Sequence, residues 1–205
     1  IPLKFGAETV TEVMCARVRV RVTDARGQTA EGWGETPLSV QWVWPSARPL
    51  APRTEVLKMF CVALARSWAG FGGQGHPMEI GQVLPALLAQ TNATRSPEVE
   101  PMPWLAALVC CSAFDLAVHD AFGCLLQRPV YSTYGPEFMS RDLGDFLEAS
   151  LSAAFAGKFP QDFLVTEPSL RLPAWHLVGG LDLLDRSELK GDEPQDGYPV
   201  LLPDW

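Results

Sequence analysis

Asp115 and His119 stand four residues apart. On a helix that spacing puts a carboxylate beside an imidazole. Two readings fit: an acid–base dyad, or a polar pair that satisfies itself at a helix junction, and the second is favoured. Of the three histidines at 76, 119 and 176, His119 is taken as the one at ligand spacing from a carboxylate. The five cysteines are Cys15, Cys61, Cys110, Cys111 and Cys124. Their number is odd, no CxxC occurs, and Cys110 and Cys111 are adjacent in an apolar segment. A zinc site or a redox pair would need a spacing that is missing, so buried free thiols in a reducing compartment are expected.

Other chemistry is sparse. Arg17, Arg19 and Arg21 could gather an anion, but they read better as the solvated face of a sheet. Phe71-Gly72-Gly73-Gln74-Gly75 is glycine-rich, yet it follows a helix and has no lysine in register for a phosphate. It reads as a helix end and loop. GxxxxGK[ST], GxGxxG after a strand, HExxH and GxSxG do not occur. Asn92-Ala93-Thr94 matches a glycosylation sequon and is read as an unmodified loop, since no secretory signal precedes it.

The elements that must position these groups follow from periodicity. Val18, Val20 and Val22 alternate with the three arginines, the period of a half-buried strand. Asp24-Ala25-Arg26-Gly27 is a turn, and a second strand ends in Gly32-Trp33-Gly34-Glu35, so 15–35 is a hairpin. Residues 36–53 form a loop with Trp42 and Trp44, which would close over a ligand or a neighbouring domain. A helix begins near Thr54 as N-cap and ends at the glycines from 70. A second helix over 77–90 has Pro85 inside its pattern and should kink or split there. The third, over 103–126, is apolar on nearly every side as far as Phe114 and belongs in the core. Residues 136–170 have weak periodicity, with short helices near 143–147 and 151–155. A strand is expected over 170–178, then an acidic loop.

Composition narrows the classes. The chain has 205 residues with 47% apolar residues, 16 Lys plus Arg and 24 Asp plus Glu, a net charge of −8. Its pI of about 4.9 argues against nucleic-acid binding. No apolar run of about 18 residues lacks a charge, so no membrane span is expected. No signal peptide is visible and the chain opens without Met on Ile1-Pro2-Leu3-Lys4, which reads as a processed or truncated start of a cytoplasmic protein.

Several segments in order resemble one family. Val18-Arg19-Val20-Arg21-Val22-Thr23-Asp24 with Gly27, then Gly32-Trp33-Gly34-Glu35-Thr36-Pro37, resembles the antiparallel meander of the enolase superfamily capping domain, in its mandelate racemase / muconate lactonizing branch. Ser112-Ala113-Phe114-Asp115-Leu116-Ala117-Val118-His119-Asp120-Ala121-Phe122-Gly123 resembles the helix that closes that domain. Arg128-Pro129-Val130-Tyr131 and Gly135 follow as in the family, and Leu172-Pro173-Ala174-Trp175-His176-Leu177-Val178-Gly179-Gly180 is similar to its first barrel strand. The resemblance spans residues 3–135 and 170–180.

The resemblance implies an α+β fold. It consists of a three-stranded antiparallel meander, its first strand missing, packed with a helical bundle and followed by the first strand of a truncated (β/α) barrel. It divides the chain into a capping domain over 1–135, an insertion or lid-like linker over 136–170, and a barrel strand with an acidic loop over 171–205. It implies a Mg2+-dependent isomerase or lyase of racemase or dehydratase type, acting on a small carboxylate or sugar acid in a homo-oligomer. A base removes the proton α to the carboxylate, and the divalent charge stabilises the enediolate. Phe5, Glu8, Trp42 and Trp44 then fall on the two loops that reach substrate, the tryptophans as an apolar wall and Glu8 as acceptor for a hydroxyl. The tryptophans could equally pack between domains. His176, near the end of the barrel strand, would face the active site or point out into the helical layer.

The family's Lys-x-Lys segment, its later Asp and Glu metal ligands and its acid–base groups have no counterpart in the sequence. No catalytic residue or metal ligand is therefore carried over. The chain reads as the N-terminal part of a longer enzyme, or a broken one, inactive by itself. The alternative is a non-catalytic binding or assembly module that keeps the capping fold.

Overall fold

In a computed structural model of the protein, the described residues are 3–5, 8–10, 12–93, 101–165, 167, 169–174, 183–193 and 199–204. They divide into two units, one of residues 1–11 with 166–205 and one of residues 12–165.

In the first unit, strand β1 (Leu3–Phe5) pairs antiparallel with β2 (Glu8–Val10), Leu3 opposite Val10 and Phe5 opposite Glu8. A single parallel bridge joins Leu183 to Leu201. Asp185 caps the 3-10 turn Arg186–Glu188, its carboxylate accepting the Ser187 N–H at 2.8 Å.

The second unit is built on a hairpin and a helix. β3 (Cys15–Thr23) and β4 (Thr29–Pro37) pair antiparallel in register Arg19 opposite Trp33. Alternation of arginine and valine puts the charges on the exposed face and Val18 against the core. The Asp24 carboxylate accepts the N–H groups of Arg26 and Gln28 at 2.9 and 2.8 Å, and Gly27 supplies the left-handed φ of +80° that closes the turn.

The helices are α1 (Val40–Val43), α2 (Leu50–Ala69), α3 (Pro77–Gly81), α4 (Leu84–Ala93), α5 (Trp104–Leu126) and α6 (Ala149–Phe155). α2 starts earlier than the sequence reading, at N-cap Pro49 rather than Thr54. Pro52 is tolerated because a first-turn residue needs no N–H donor, and Thr54 bonds back to the Leu50 carbonyl at 3.0 Å inside the helix. The expected break near Pro85 falls at 82–83, splitting the segment into α3 and α4. Asn92 lies in α4, not in a loop.

α5 lies across β4 on a stripe of small residues. Ala113, Ala117 and Ala121 repeat every fourth position and are fully buried. Opposite them Gly32 and Gly34 let the strand backbone touch the helix. A Cβ on Gly32 would come within 2.0 Å of the Ala121 nitrogen. The core then continues through Leu57, Phe60, Leu64, Leu88, Cys110 and Phe114. Trp68 stacks on Phe114 with centroids 5.9 Å apart. α5 ends where Gln127 turns left-handed at φ +54° and the Arg128 N–H bonds back to the Gly123 carbonyl at 3.1 Å. By length and composition α5 is apolar enough to cross a membrane, but half of that stretch is buried inside the protein.

Two expectations about the fold are corrected. The chain is α+β, but the described strands form two separate two-stranded sheets rather than a three-stranded meander. Among the described residues β2 pairs with β1 and β4 pairs with β3, and no third strand joins either hairpin. The barrel strand is also not shown. Over 169–174 the backbone is irregular, and the Ser169 hydroxyl bonds to the Arg171 carbonyl at 2.5 Å in place of a ladder. Leu170 and Leu172 are 101% and 83% exposed, whereas a barrel strand is covered on both faces. Residues 175–182 lie outside the described residues.

Candidate functional site

The turn after β4 carries the two tryptophans, and the structure separates them. The Leu38 N–H bonds to the Met14 carbonyl at 2.7 Å, anchoring the chain as it leaves the strand. α1 then buries Val40 and Val43. Trp44 is 1% exposed and belongs to the core, while Trp42 is 55% exposed. The loop to α2 is held by Arg53, which is 3% exposed. Its guanidinium donates to the Trp44 carbonyl and, through Nε, to the Pro49 carbonyl at 3.3 Å. A buried cation thus ties both ends of the loop to α2 by charge-assisted bonds.

Of the other sequence-predicted site residues, Phe5 and Glu8 are cross-strand partners closing the β1–β2 hairpin. His176 lies outside the described residues. The structure therefore joins Phe5 to Glu8, and leaves Trp42 as the exposed aromatic of the second loop.

A second cluster gathers around His76, whose surroundings the sequence reading missed. His76 is the N-cap of α3: its Nδ1 accepts the Met78 N–H at 3.2 Å, and Glu79 reaches back to the His76 N–H at 2.9 Å. The signal was His76-Pro77 followed by Glu79. The Thr133 hydroxyl donates to the Val130 carbonyl at 2.5 Å and so takes a proton from His76 Nε2, 3.0 Å away. The imidazole is thereby fixed neutral with its proton on Nε2. Burial, with His119 adding, holds its pKa down at about 4, against the pull of Glu79. Burial alone would raise Glu79, but bonds from Ser140, His76 and Arg141 outweigh it and lower the carboxyl. At 2.7 Å both the Ser140 N–H and hydroxyl meet Glu79 Oε1.

His119 extends this cluster. Its Nδ1 lies 2.9 Å from the Tyr134 hydroxyl, and Nε2 lies 3.8 Å from Asp115 Oδ1, too long for a hydrogen bond. Burial lowers the His119 pKa despite Asp115. Tyr134 is pushed up by burial, with Tyr131 and Asp115 adding, so the phenol is not activated as a nucleophile. The set behaves as a satisfied polar knot joining α3, α5 and the 3-10 turn Val130–Thr133.

On the sheet face three guanidiniums share two carboxylates. Arg17 pairs with Glu35 at 2.5 Å, Arg21 with Glu31 at 2.6 Å, and Arg19 sits over the Trp33 ring at 5.7 Å. An open depression of about 380 Å³ above them is lined by Arg17, Trp33, Gly34 and Glu35. Each of the three guanidiniums is engaged, Arg19 by the ring and by Glu31 at 3.6 Å, which argues against an anion trap here. Among the described residues no group of three or more His, Cys, Asp or Glu is placed to hold a metal ion.

No family model, curated protein or solved structure matches the chain.

Proposed function

We propose that the chain is the substrate-capping part of a magnesium-dependent isomerase or lyase that abstracts the proton α to a carboxylate, and that it is inactive by itself. One observation carries this reading. Two of the segments with the family resemblance, 32–37 and 112–123, lie in β4 and α5 and pack face to face, and Trp42 stands exposed on α1, which follows β4. Such an arrangement supplies a rigid body and an apolar wall, with Arg53 fixing the loop that follows it.

The described residues do not form a ligand set for magnesium, so no step through the metal is assigned to them. What these residues do is exclude water and present aromatic surface beside a small hydroxy or sugar acid. In this reading the protein is cytoplasmic, homo-oligomeric, and independent of nucleic acid and membrane.

The test is α-proton exchange in D2O with Mg2+ and a panel of 2-hydroxy and sugar acids. The chain leaves the α-proton in place. Exchange above background would overturn the capping reading. Titration of the same acids should shift the indole N–H resonance of Trp42 and not that of buried Trp44. An unmoved Trp42 across the panel would favour the second reading, a binding or assembly module, which the absence of a metal-binding group among the described residues also suits.

A further inference from the structure

We propose that Cys61 is an oxidant-sensitive modification site that forms a disulfide with Cys110, tying α2 to α5. Sequence spacing hides this pair because the residues are brought together by helix packing alone. α2 and α5 are in direct contact. The Cys110 thiol points at the α2 turn that Cys61 closes: its Sγ lies 3.9 Å from the Leu57 carbonyl, one turn before Cys61 on the same helix. The Cys61 thiol lies beside it, close enough for the two thiols to interact. To form the cross-link the two sulfurs must close to about 2.0 Å with their Cα atoms within about 7 Å of each other.

The surroundings divide the labour between the thiols. Cys61 is half-buried, so a small peroxide can reach it, whereas Cys110 is fully buried. The Cys110 thiol beside it lowers the Cys61 thiol below its ordinary range, against burial. Cys111, the next residue on α5, is pushed up to about 12 by burial, with Asp115 and Cys61 adding. Reactivity follows thiolate character and access, so Cys61 is the attacking sulfur and Cys111 stays inert.

With hydrogen peroxide as the oxidant the step balances. The Cys61 thiolate attacks one peroxide oxygen, the O–O bond breaks, and hydroxide leaves and takes the thiol proton to become water. Cys61 is now a sulfenic acid. The Cys110 sulfur attacks the Cys61 sulfur, the S–O bond breaks, and the departing hydroxide leaves as a second water with the Cys110 proton. Two thiols are oxidised to one disulfide while one peroxide is reduced to two waters.

The experiment treats the whole chain with equimolar hydrogen peroxide, alkylates, digests and analyses the peptides by mass spectrometry. The expected product is a Cys61–Cys110 linked peptide two hydrogens lighter than its parts and reversed by dithiothreitol, with oxidation at Cys61 at least about tenfold faster than at Cys111. The Cys15→Ser/Cys124→Ser variant, which removes the two exposed thiols, should form the link unchanged. Cys61→Ser should lose it; if that variant does not fold, the double variant alone decides. Oxidation confined to Cys15 and Cys124, or a Cys61 sulfenic acid captured by dimedone while Cys110 still alkylates after unfolding, would overturn the proposal.

Discussion

Gly34 and Ala113 touch backbone to backbone: a Cβ placed on Gly34 would lie 2.0 Å from the Ala113 carbonyl oxygen. The next nearest atoms, the Ala117 nitrogen and Leu116 Cβ, are 2.6 and 2.9 Å away, and two of these three neighbours are main-chain atoms of α5. No rotamer change can relieve such a contact, so the strand must lift from the helix. Gly34→Ala is expected to destabilise residues 12–165 by about 3 kcal/mol or more. Gly72→Ala, at a position with nothing within 4 Å, is the control and should change stability by less than about 0.5 kcal/mol. Urea unfolding followed by circular dichroism checks both; a well-folded Gly34→Ala chain with an unmoved midpoint would refute the close packing.

The same strand is closed by one carboxylate. The Trp33 N–H, which β3 does not take, donates to Asp120 Oδ2 of α5 at 2.8 Å. Asp120→Ala strips the acceptor from this solvent-exposed donor and should cost about 0.5–1.5 kcal/mol. Asp120→Asn keeps a carbonyl oxygen and should cost clearly less. Amide hydrogen exchange at Trp33 provides the local readout, with protection lost in the alanine variant and mostly retained in the asparagine one.

Much of this scaffold was legible because it is periodic. Val18, Val20 and Val22 marked β3, and the apolar run from 104 to Phe114 marked the core helix. Contacts that depend on distant packing were not legible. His76 and Thr133 are 57 positions apart, and Cys61 meets Cys110 only because α2 lies on α5. Arg53 carries a charge that a sequence reading places in solvent, yet it is buried as a clamp. The segment 170–178 read as a strand from its apolar residues, but such residues do not reveal whether a partner edge exists, and over 169–174 none is taken.

His76 gives the protein an acid-sensitive seam. Its neutral ring accepts from Met78 and donates to Thr133, and its pKa falls from about 6.5 to about 4 on folding. A depressed imidazole means the unfolded chain binds the proton more readily. Stability from this group is therefore complete above about pH 6.5 and is lost as pH falls towards 4. The shift corresponds to about 3 kcal/mol across that window. His119, also lowered by burial, adds in the same direction. Glu79 acts at the acid end of that window and beyond it, because the stability its lowered carboxyl contributes is lost as pH falls from about 4.5 downwards. His76→Gln should flatten the pH dependence of the thermal midpoint between pH 6.5 and 4; an unchanged slope would remove His76 from the account.

The two tryptophans of the loop should answer differently to the same change. Trp44 fills the core beside Val40 and Val43, so Trp44→Ala leaves a large cavity and should cost about 3–5 kcal/mol. Trp42 presents most of its ring to solvent, so Trp42→Ala should alter stability by less than about 1 kcal/mol. Arg53→Met tests what holds them in place: it deprives the Trp44 and Pro49 carbonyls of their donor while keeping the apolar stem. That change should cost about 2–3 kcal/mol and speed amide exchange within 44–49. Trp42→Ala destabilising the protein as much as Trp44→Ala would show that the exposed ring is a core residue after all, and the apolar wall assigned to it would go with it.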